Sequence, residues 1–269
     1  MDTERRNSED SRPLISIIMP VWRGWLYIDR AIKSIVDQSI KEPYELIIID
    51  DGSNDSNRTW GKIESWQRTL ATHPFMSLKS IQLMCNAGPG NARRVGIESS
   101  LGKYICYLDS DDEFYPNRLL SSLMVFKQNP VADIVLSRYI MVQGNNKAEY
   151  DPGKYISRMK EYLQKQNMCI PLGVMHTREI YYKTSGWPKY IVCGEDGILW
   201  RRMSEVDAHF DCCAFPSGIY HIRQQSQSRT QRRFDSKMAF AFDGSHPDGT
   251  NGQYLDGLSD EQLSRYFEK

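Results

Sequence analysis

Short runs of β-branched and aliphatic residues alternate with amphipathic stretches from Leu14 to about Tyr139, and no other feature restricts the fold so strongly. The pattern is that of βα units building a mostly parallel sheet, in which each crossover helix covers a sheet face. Strands are predicted at 14–19, 44–49, 78–84 and 104–108, with 134–137 closing this half. Ile28, Ala31, Ile32, Ile35 and Val36 fall at helical offsets and make one apolar stripe. Trp60, Ile63 and Leu70 mark a second helix after a loop rich in capping residues. Residues 89–100 read as a third helix, opened by a proline-containing loop, and Leu119, Leu120, Leu123 and Met124 as the face of a fourth.

The second half changes character. Tyr155, Met159, Tyr162 and Leu163 predict a helix, 173–176 a short strand, and Thr177 the start of another short helix. Residues 195–205 read as helical and 208–223 as two short strands. After Arg229 come a loop rich in Gly, Asp and Asn (243–252) and a last helix whose start, Ser259 with Gln262, has capping-box form. The expected division is a disordered tail at 1–13, one domain at 14–228, and a C-terminal extension at 229–269.

Charge and cysteine usage exclude several classes. Lysine plus arginine equals aspartate plus glutamate at 34 each, so no overall field recruits nucleic acid. Six cysteines are scattered without a C-x-x-C pair, which suggests buried thiols rather than a zinc cage or disulfide framework. The opening from Met1 to Pro13 lacks the apolar middle of a signal peptide, and no stretch approaches the roughly 18 to 20 apolar residues of a membrane span. The sequence therefore reads as intracellular.

Ligands of open α/β sheets bind outside the carboxyl ends of the strands, and three strands here end in unusual chemistry. The first ends in Pro20-Val21-Trp22, the second in Asp50-Asp51-Gly52-Ser53, and the fourth in Asp109-Ser110-Asp111-Asp112. Three carboxylates crowded at a strand end repel one another, and a divalent cation carrying a diphosphate would cancel that charge. Each piece has an ordinary alternative: aspartates make turns, Pro20 stops a strand, and Trp22 could be a core aromatic. Together they would line one edge with an aromatic platform, an acceptor and a metal site, as a nucleoside diphosphate requires.

Further candidates lie elsewhere. The loop Asn86-Ala87-Gly88-Pro89-Gly90-Asn91-Ala92-Arg93 fails the G-x-G-x-x-G fingerprint because Arg93 replaces the third glycine. Its glycines would allow close approach at a helix start. Arg93 offers a planar charged fork to a phosphate or an acidic partner, or simply pairs with a local carboxylate at the surface. Glu195-Asp196 could merely satisfy a helix dipole, or could supply the base that a hydroxyl acceptor needs. His221, with Ser226 and Ser228 after it, could complete a metal shell, although a lone histidine is more often structural.

Taken in this order, these residues resemble glycosyltransferase family 2, inverting enzymes of the GT-A fold that use nucleotide-activated sugars. The matching elements are Ser16-Ile17-Ile18-Met19-Pro20-Val21, the loop from Asp50 to Asp55, Asn86-x-Gly88 to Ala92-Arg93, Tyr107-Leu108-Asp109-Ser110-Asp111-Asp112, Gly194-Glu195-Asp196, and Tyr220-His221 with its serines. The likeness spans about Ile15 to Ser228. One departure stands out: the family usually has Tyr-Asn after Pro-Val, and here stand Trp22 and Arg23.

The resemblance implies an α/β GT-A fold, a Rossmann-like central sheet flanked by helices. It implies that Pro20, Val21 and Trp22 line the nucleoside pocket, that Asp51 bonds the base, and that Asp109 faces ribose and metal. Asp111 would coordinate Mn or Mg, with His221 as an extra ligand, and Arg93 would sit near the nucleotide. Asp196 would be the general base and Glu195 would help position the acceptor. The implied activity is transfer from a nucleotide-sugar, UDP-linked by default, to a glycan or lipid-linked saccharide in surface-polysaccharide synthesis. The location would be cytoplasmic, at the inner membrane face through the acceptor. A sugar nucleotidylyltransferase would need a glycine-rich loop with Arg and Lys after the first strand, of which Pro20 to Gly24 is a poor version. A non-catalytic nucleotide-sugar-binding subunit would be expected to lack the acids, all of which are present.

Overall fold

The computed structural model describes residues 12–188 and 194–223. The rest of the expected N-terminal tail, Cys193, Ser226, Ser228 and the 229–269 extension, with the helix expected from Ser259, lie outside the described residues. The first two apolar runs become β1 (Ile15–Val21) and β2 (Tyr44–Asp50), buried along their whole length. They pair in parallel from Ile15 opposite Tyr44 to Val21 opposite Asp50. β3 (Met76–Gln82) extends the sheet beyond β2, and β4 (Tyr104–Tyr107) lies parallel on the other side of β1.

Helices α1 (Ile28–Val36), α2 (Arg58–Leu70), α3 (Pro89–Glu98) and α4 (Arg118–Gln128) follow these strands in the expected places. Strand side chains alternate between two cores, as period-two geometry demands. Ile15, Ile17, Met19, Leu46 and Ile48 pack with α1, α2 and α4, whereas Ile18, Ile47 and Ile49 face α3. Each isoleucine taken fully out of water stabilises the fold by about 1.5–3 kcal/mol. That burial outweighs the weak helix propensity of α3, whose interior Gly96 costs about 1 kcal/mol relative to alanine. A Cβ at Gly96 would lie 2.5 Å from Ile18 and 2.6 Å from Ile49, so the glycine lets α3 approach the sheet.

Among the described residues one sheet of nine strands runs β3-β2-β1-β4-β8-β6-β9-β5, with β7 paired to β6. The added strands are β5 (Glu113–Phe114), β6 (Ile134–Gln143), β7 (Asn146–Tyr150), β8 (Val174–Thr177) and β9 (Phe210–His221). β8 joins β4 and β6 antiparallel, whereas β9 runs parallel to β6.

The second half departs from expectation at several points. Instead of two short strands over 208–223 there is the single β9, whose register against β6 slips on either side of Arg138. Pro216 stands opposite Arg138 and cannot donate to the ladder, which accounts for the apparent break in the sequence. β6 continues to Gln143 and turns through Gly144-Asn145, with Gly144 at φ 58°, into β7. The helix expected around Tyr155 begins as a 3-10 turn, Pro152–Arg158, and becomes α5 (Met159–Leu163). Thr177 caps α6 (Arg178–Tyr182) by accepting from the Ile180 amide, and α7 (Glu195–Glu205) has the expected bounds. Not every cysteine is buried: Cys85 is exposed and Cys212 partly so.

One charged side chain sits in the core without an acid. Arg118 is fully buried, bonds Ser122 through Nη1 and lies over the Phe114 ring. Its Nε and Nη2 have no hydrogen-bond partner among the described residues, and burial lowers its pKa. Among the described residues no helix is long and apolar enough to cross a membrane.

Candidate active site

Parallel pairing brings the carboxyl ends of β1, β2 and β4 to one edge. Asp51 N–H donates to the Val21 carbonyl (2.8 Å) and Leu108 N–H to that of Ile18 (3.2 Å), so the Pro20, Asp51 and Asp109 turns leave the sheet together. A Cβ at Gly24 would meet Ser110 Oγ at 2.9 Å, which seats the 22–24 loop against the 109–112 turn. Trp22 is 37% exposed and so is a surface platform, not a core aromatic. Arg23, in the place where the resemblance leads one to expect asparagine, adopts φ 52°. Its N–H donates to Ser53 Oγ (2.7 Å), its Nε to Asn54 Oδ1 (2.9 Å), and its charge stacks 4.7 Å from the Trp22 ring. The departure therefore ties the first strand-end loop to the second.

The Asp51 carboxylate accepts the amides of Ala87 and Gly88, each at 2.9 Å. Burial raises its pKa, the two amides pulling the other way. Asp51 thus anchors the loop that opens α3. Gly90 then permits the close approach anticipated for that loop, since a Cβ there would lie 2.7 Å from the Pro188 carbonyl and 3.3 Å from the Glu195 side chain.

Arg93 is the centre of the arrangement. It is 2% exposed rather than a surface residue, and its fork takes two acids: Nη1 donates to Glu195 Oε1 and Nη2 to Asp109 Oδ1, both at 2.6 Å. Charge-assisted bonds of this length are the strong kind. Its guanidinium carbon stands 4.8 Å from the Trp187 ring centroid. Burial by itself would lower the Arg93 pKa, but Asp109 and Glu195 more than offset this and raise it. Glu195, the expected helper of the acceptor, is buried and engaged by Arg93. Burial pushes its pKa up to about 7, with Arg93 opposing and Asp196 adding. Asp196 opens α7, is partly buried, and accepts the Gly197 amide at 2.9 Å. Burial raises its pKa too, while Arg93 and the Asn167 side chain favour the charged form.

The remaining acids form a second corner. Asp112 is buried and accepts the His221 amide at 2.9 Å. Asp111 meets Arg223 Nη2 at 3.4 Å, and Arg223 stacks 3.2 Å from the centre of the Tyr27 ring. The His221 ring bonds Glu113 through Nε2 at 2.8 Å, and Glu113 also pairs with Arg30. Burial, then the neighbouring Asp109, raise the Asp111 pKa; Asp112 is raised further by burial, Asp111 and Asp109. Among the described residues no three His, Cys, Asp or Glu side chains are grouped to hold a metal ion. The oxygen donors of Asp109 and Asp111 nonetheless suit Mn or Mg, which commonly use one or two carboxylates plus substrate phosphates. His221 fits that shell less well, because its Nε2 already faces Glu113.

Reading the sequence missed Arg30, Glu113, Arg223 and Trp187 as members of this region. Trp187 carried the best signal, standing in Gly186-Trp187-Pro188 shortly before the Glu195 helix. Arg30 lies on the polar face of α1, where nothing marks one charge from another.

The sequence profile described as Glycosyl transferase family 2 matches residues 16–185. An uncharacterized glycosyltransferase of Rickettsia conorii is 31% identical over 195 residues, covering 69% of this chain but 29% of its own length. The Bacillus subtilis minor teichoic acid biosynthesis protein GgaA is 27% identical over 238 residues, 85% of this chain and 52% of that one. The chain thus spans about a third to a half of these two relatives. The crystal structure of S. aureus TarS 1–349 with UDP-GlcNAc superposes with TM-score 0.66 at 17% identity, over 94% of this chain and 72% of that one. The fold is GT-A, as the resemblance implied.

Proposed function

The chain belongs to glycosyl transferase family 2, and from that premise we propose that it is an inverting glycosyltransferase moving a sugar from a UDP-linked donor to a hydroxyl of a glycan or lipid-linked saccharide. One observation carries the reading: Arg93 joins Asp109, at the donor strand end, to Glu195, next to the candidate base. Acids from distant parts of the chain therefore meet at one edge, as transfer between two bound partners requires. The UDP-GlcNAc bound by TarS supports the donor class, and the teichoic acid role named for GgaA supports a surface polymer as product. The work would then lie on the cytoplasmic side, at the membrane face that carries the acceptor.

In this reading Pro20, Val21 and Trp22 wall the nucleoside pocket. Asp51 contacts the base through acceptor sites not used by Ala87 and Gly88, a carboxylate having about four. Asp109 and Asp111 would hold a divalent cation, whose chemistry when bound would be to neutralise charge on a diphosphate leaving group. Asp196 takes the proton of the acceptor hydroxyl as it attacks the anomeric carbon from the side opposite the leaving group, so configuration inverts. Glu195, held by Arg93, helps to position the acceptor beside that base.

The test is Asp196→Asn, which preserves shape and removes basicity. UDP binding measured by calorimetry should be unchanged, and transfer from a UDP-sugar should fall roughly 10²- to 10⁴-fold. Near-normal transfer would end the assignment of Asp196 as base.

A further inference from the structure

Beneath Arg93 lies a line of buried polar side chains that the chemistry above does not use. Trp187, which carries the guanidinium over its ring, donates from Nε1 to the Tyr107 hydroxyl oxygen at 3.2 Å. Tyr107 Oη lies 2.6 Å from His176 Nε2, and His176 Nδ1 lies 2.9 Å from the Thr177 carbonyl. The direction of every bond follows from chemistry. A carbonyl can only accept, so Nδ1 carries the ring hydrogen, Nε2 accepts, and Tyr107 donates to it. The Tyr107 oxygen is then left to receive the indole N–H. Burial lowers the His176 pKa to about 4, so the ring is neutral and this order holds at neutral pH.

Packing alone does not call for these groups. All three side chains are essentially inaccessible to solvent, and apolar residues of similar size could fill the same space. A satisfied buried network does something apolar packing cannot: it fixes ring orientation as well as ring position. The indole ring is a flat support whose tilt sets where the guanidinium above it sits. Arg93 Nε has no hydrogen-bond partner among the described residues, so the fork is located by its two acids and by this ring.

We infer that Tyr107, His176 and Trp187 are positioning residues, which orient the indole under Arg93 and thereby hold Asp109 on the donor side and Glu195 beside the base at a set separation. The inference deepens the proposed transfer reaction and rests on it for its kinetic test. In Tyr107→Phe the indole N–H loses its acceptor, and the turnover of a UDP-sugar should fall roughly 10- to 100-fold, as small misplacements of reacting groups do. His176→Leu leaves the Tyr107 hydroxyl without its acceptor and should lower both turnover and melting temperature. The double variant Tyr107→Phe/His176→Leu removes the His176 acceptor that Tyr107→Phe leaves unpaired, so its melting temperature should rise above that of Tyr107→Phe although the indole N–H stays unpaired.

Turnover in the double variant should stay as low as in Tyr107→Phe, because the indole still lacks its acceptor. Turnover recovering in step with melting temperature would reduce the network to a structural role and overturn the inference. A second readout needs no activity: the indole N–H resonance of Trp187, identified by its loss in Trp187→Phe. It should move in Tyr107→Phe and also in Glu195→Gln, since both disturb the guanidinium over the ring. A resonance indifferent to Glu195→Gln would sink the relay. Failure of the native protein to transfer from any nucleotide-sugar would instead sink the proposed function, and the resonance would then decide the relay by itself.

Discussion

Two arginines face two aspartates of the same turn, and they live in different solvents. Arg93 meets Asp109 at 2.6 Å with its side chain 3% exposed, while Arg223 meets Asp111 at 3.4 Å with 23% exposed. Each stacks on an aromatic ring, Trp187 for the first and Tyr27 for the second. Similar chemistry should therefore have unequal consequences. Water and salt weaken the outer pair, whereas the inner pair cannot lose one partner without leaving a buried charge uncompensated. The inner joint is suited to hold geometry, whereas the outer corner is open to solvent and ions.

The comparison predicts its largest effect at the joint. Arg93→Ala leaves the buried Glu195 and the partly exposed Asp109 without their donor and should cost about 3–5 kcal/mol, read from urea unfolding above pH 7, where Glu195 is charged. A loss comparable to that of a surface substitution would break the contrast. The next effect is a pH dependence. Burial pushes the Glu195 pKa up to about 7 in the folded protein, against an ordinary value of 4.5, with Arg93 opposing. Its pKa is raised on folding, so the stability it contributes is complete below 4.5 and lost as pH rises through about 7. The stability difference between the native protein and Glu195→Gln should therefore fall as pH rises across that window, read from urea unfolding at several pH values. A difference flat with pH would mean that Glu195 ionises freely.

Arg118 sharpens the comparison as a buried arginine with no acid at hand. Arg118→Met should raise stability by about 1–4 kcal/mol, as the replacement of buried charges by apolar side chains often does. Destabilisation would point to a bond that the Ser122 contact does not account for. The smallest effect belongs to the outer corner. Arg223→Ala should change stability by no more than about 1 kcal/mol, and less in high salt. A loss as large as that of Arg93→Ala would erase the distinction between the two pairs.

Much of the framework was legible in residue order. The stripe of α1 and the bounds of α7 follow from helical spacing, and the runs of β1 and β2 from unbroken burial. Local rules worked less well past Ile134, where strands are exposed or irregular. β7 is exposed over most of its length, and β9 carries a proline at its slip in register, so neither has the alternation that marks a half-buried strand. At the site, the acids stood out because carboxylates at strand ends are costly without a partner. Of their arginine partners Arg93 stood out by its place after a glycine-containing loop, whereas Arg30 and Arg223 did not, because a basic residue reads the same whether it faces water or an acid.

Local order by itself determined that Asp51 and Asp109 end parallel strands and that Glu195 and Asp196 open a helix, because periodicity and turn residues act over a few positions. Tertiary structure decided that Arg93 joins Asp109, 16 residues away, to Glu195, 102 residues away. It also decided that Trp187 lies beneath that joint. The reason is physical: spacing reports which face of an element is buried, whereas the partner of a buried charge depends on how separate layers stack, and only packing of the whole domain sets that.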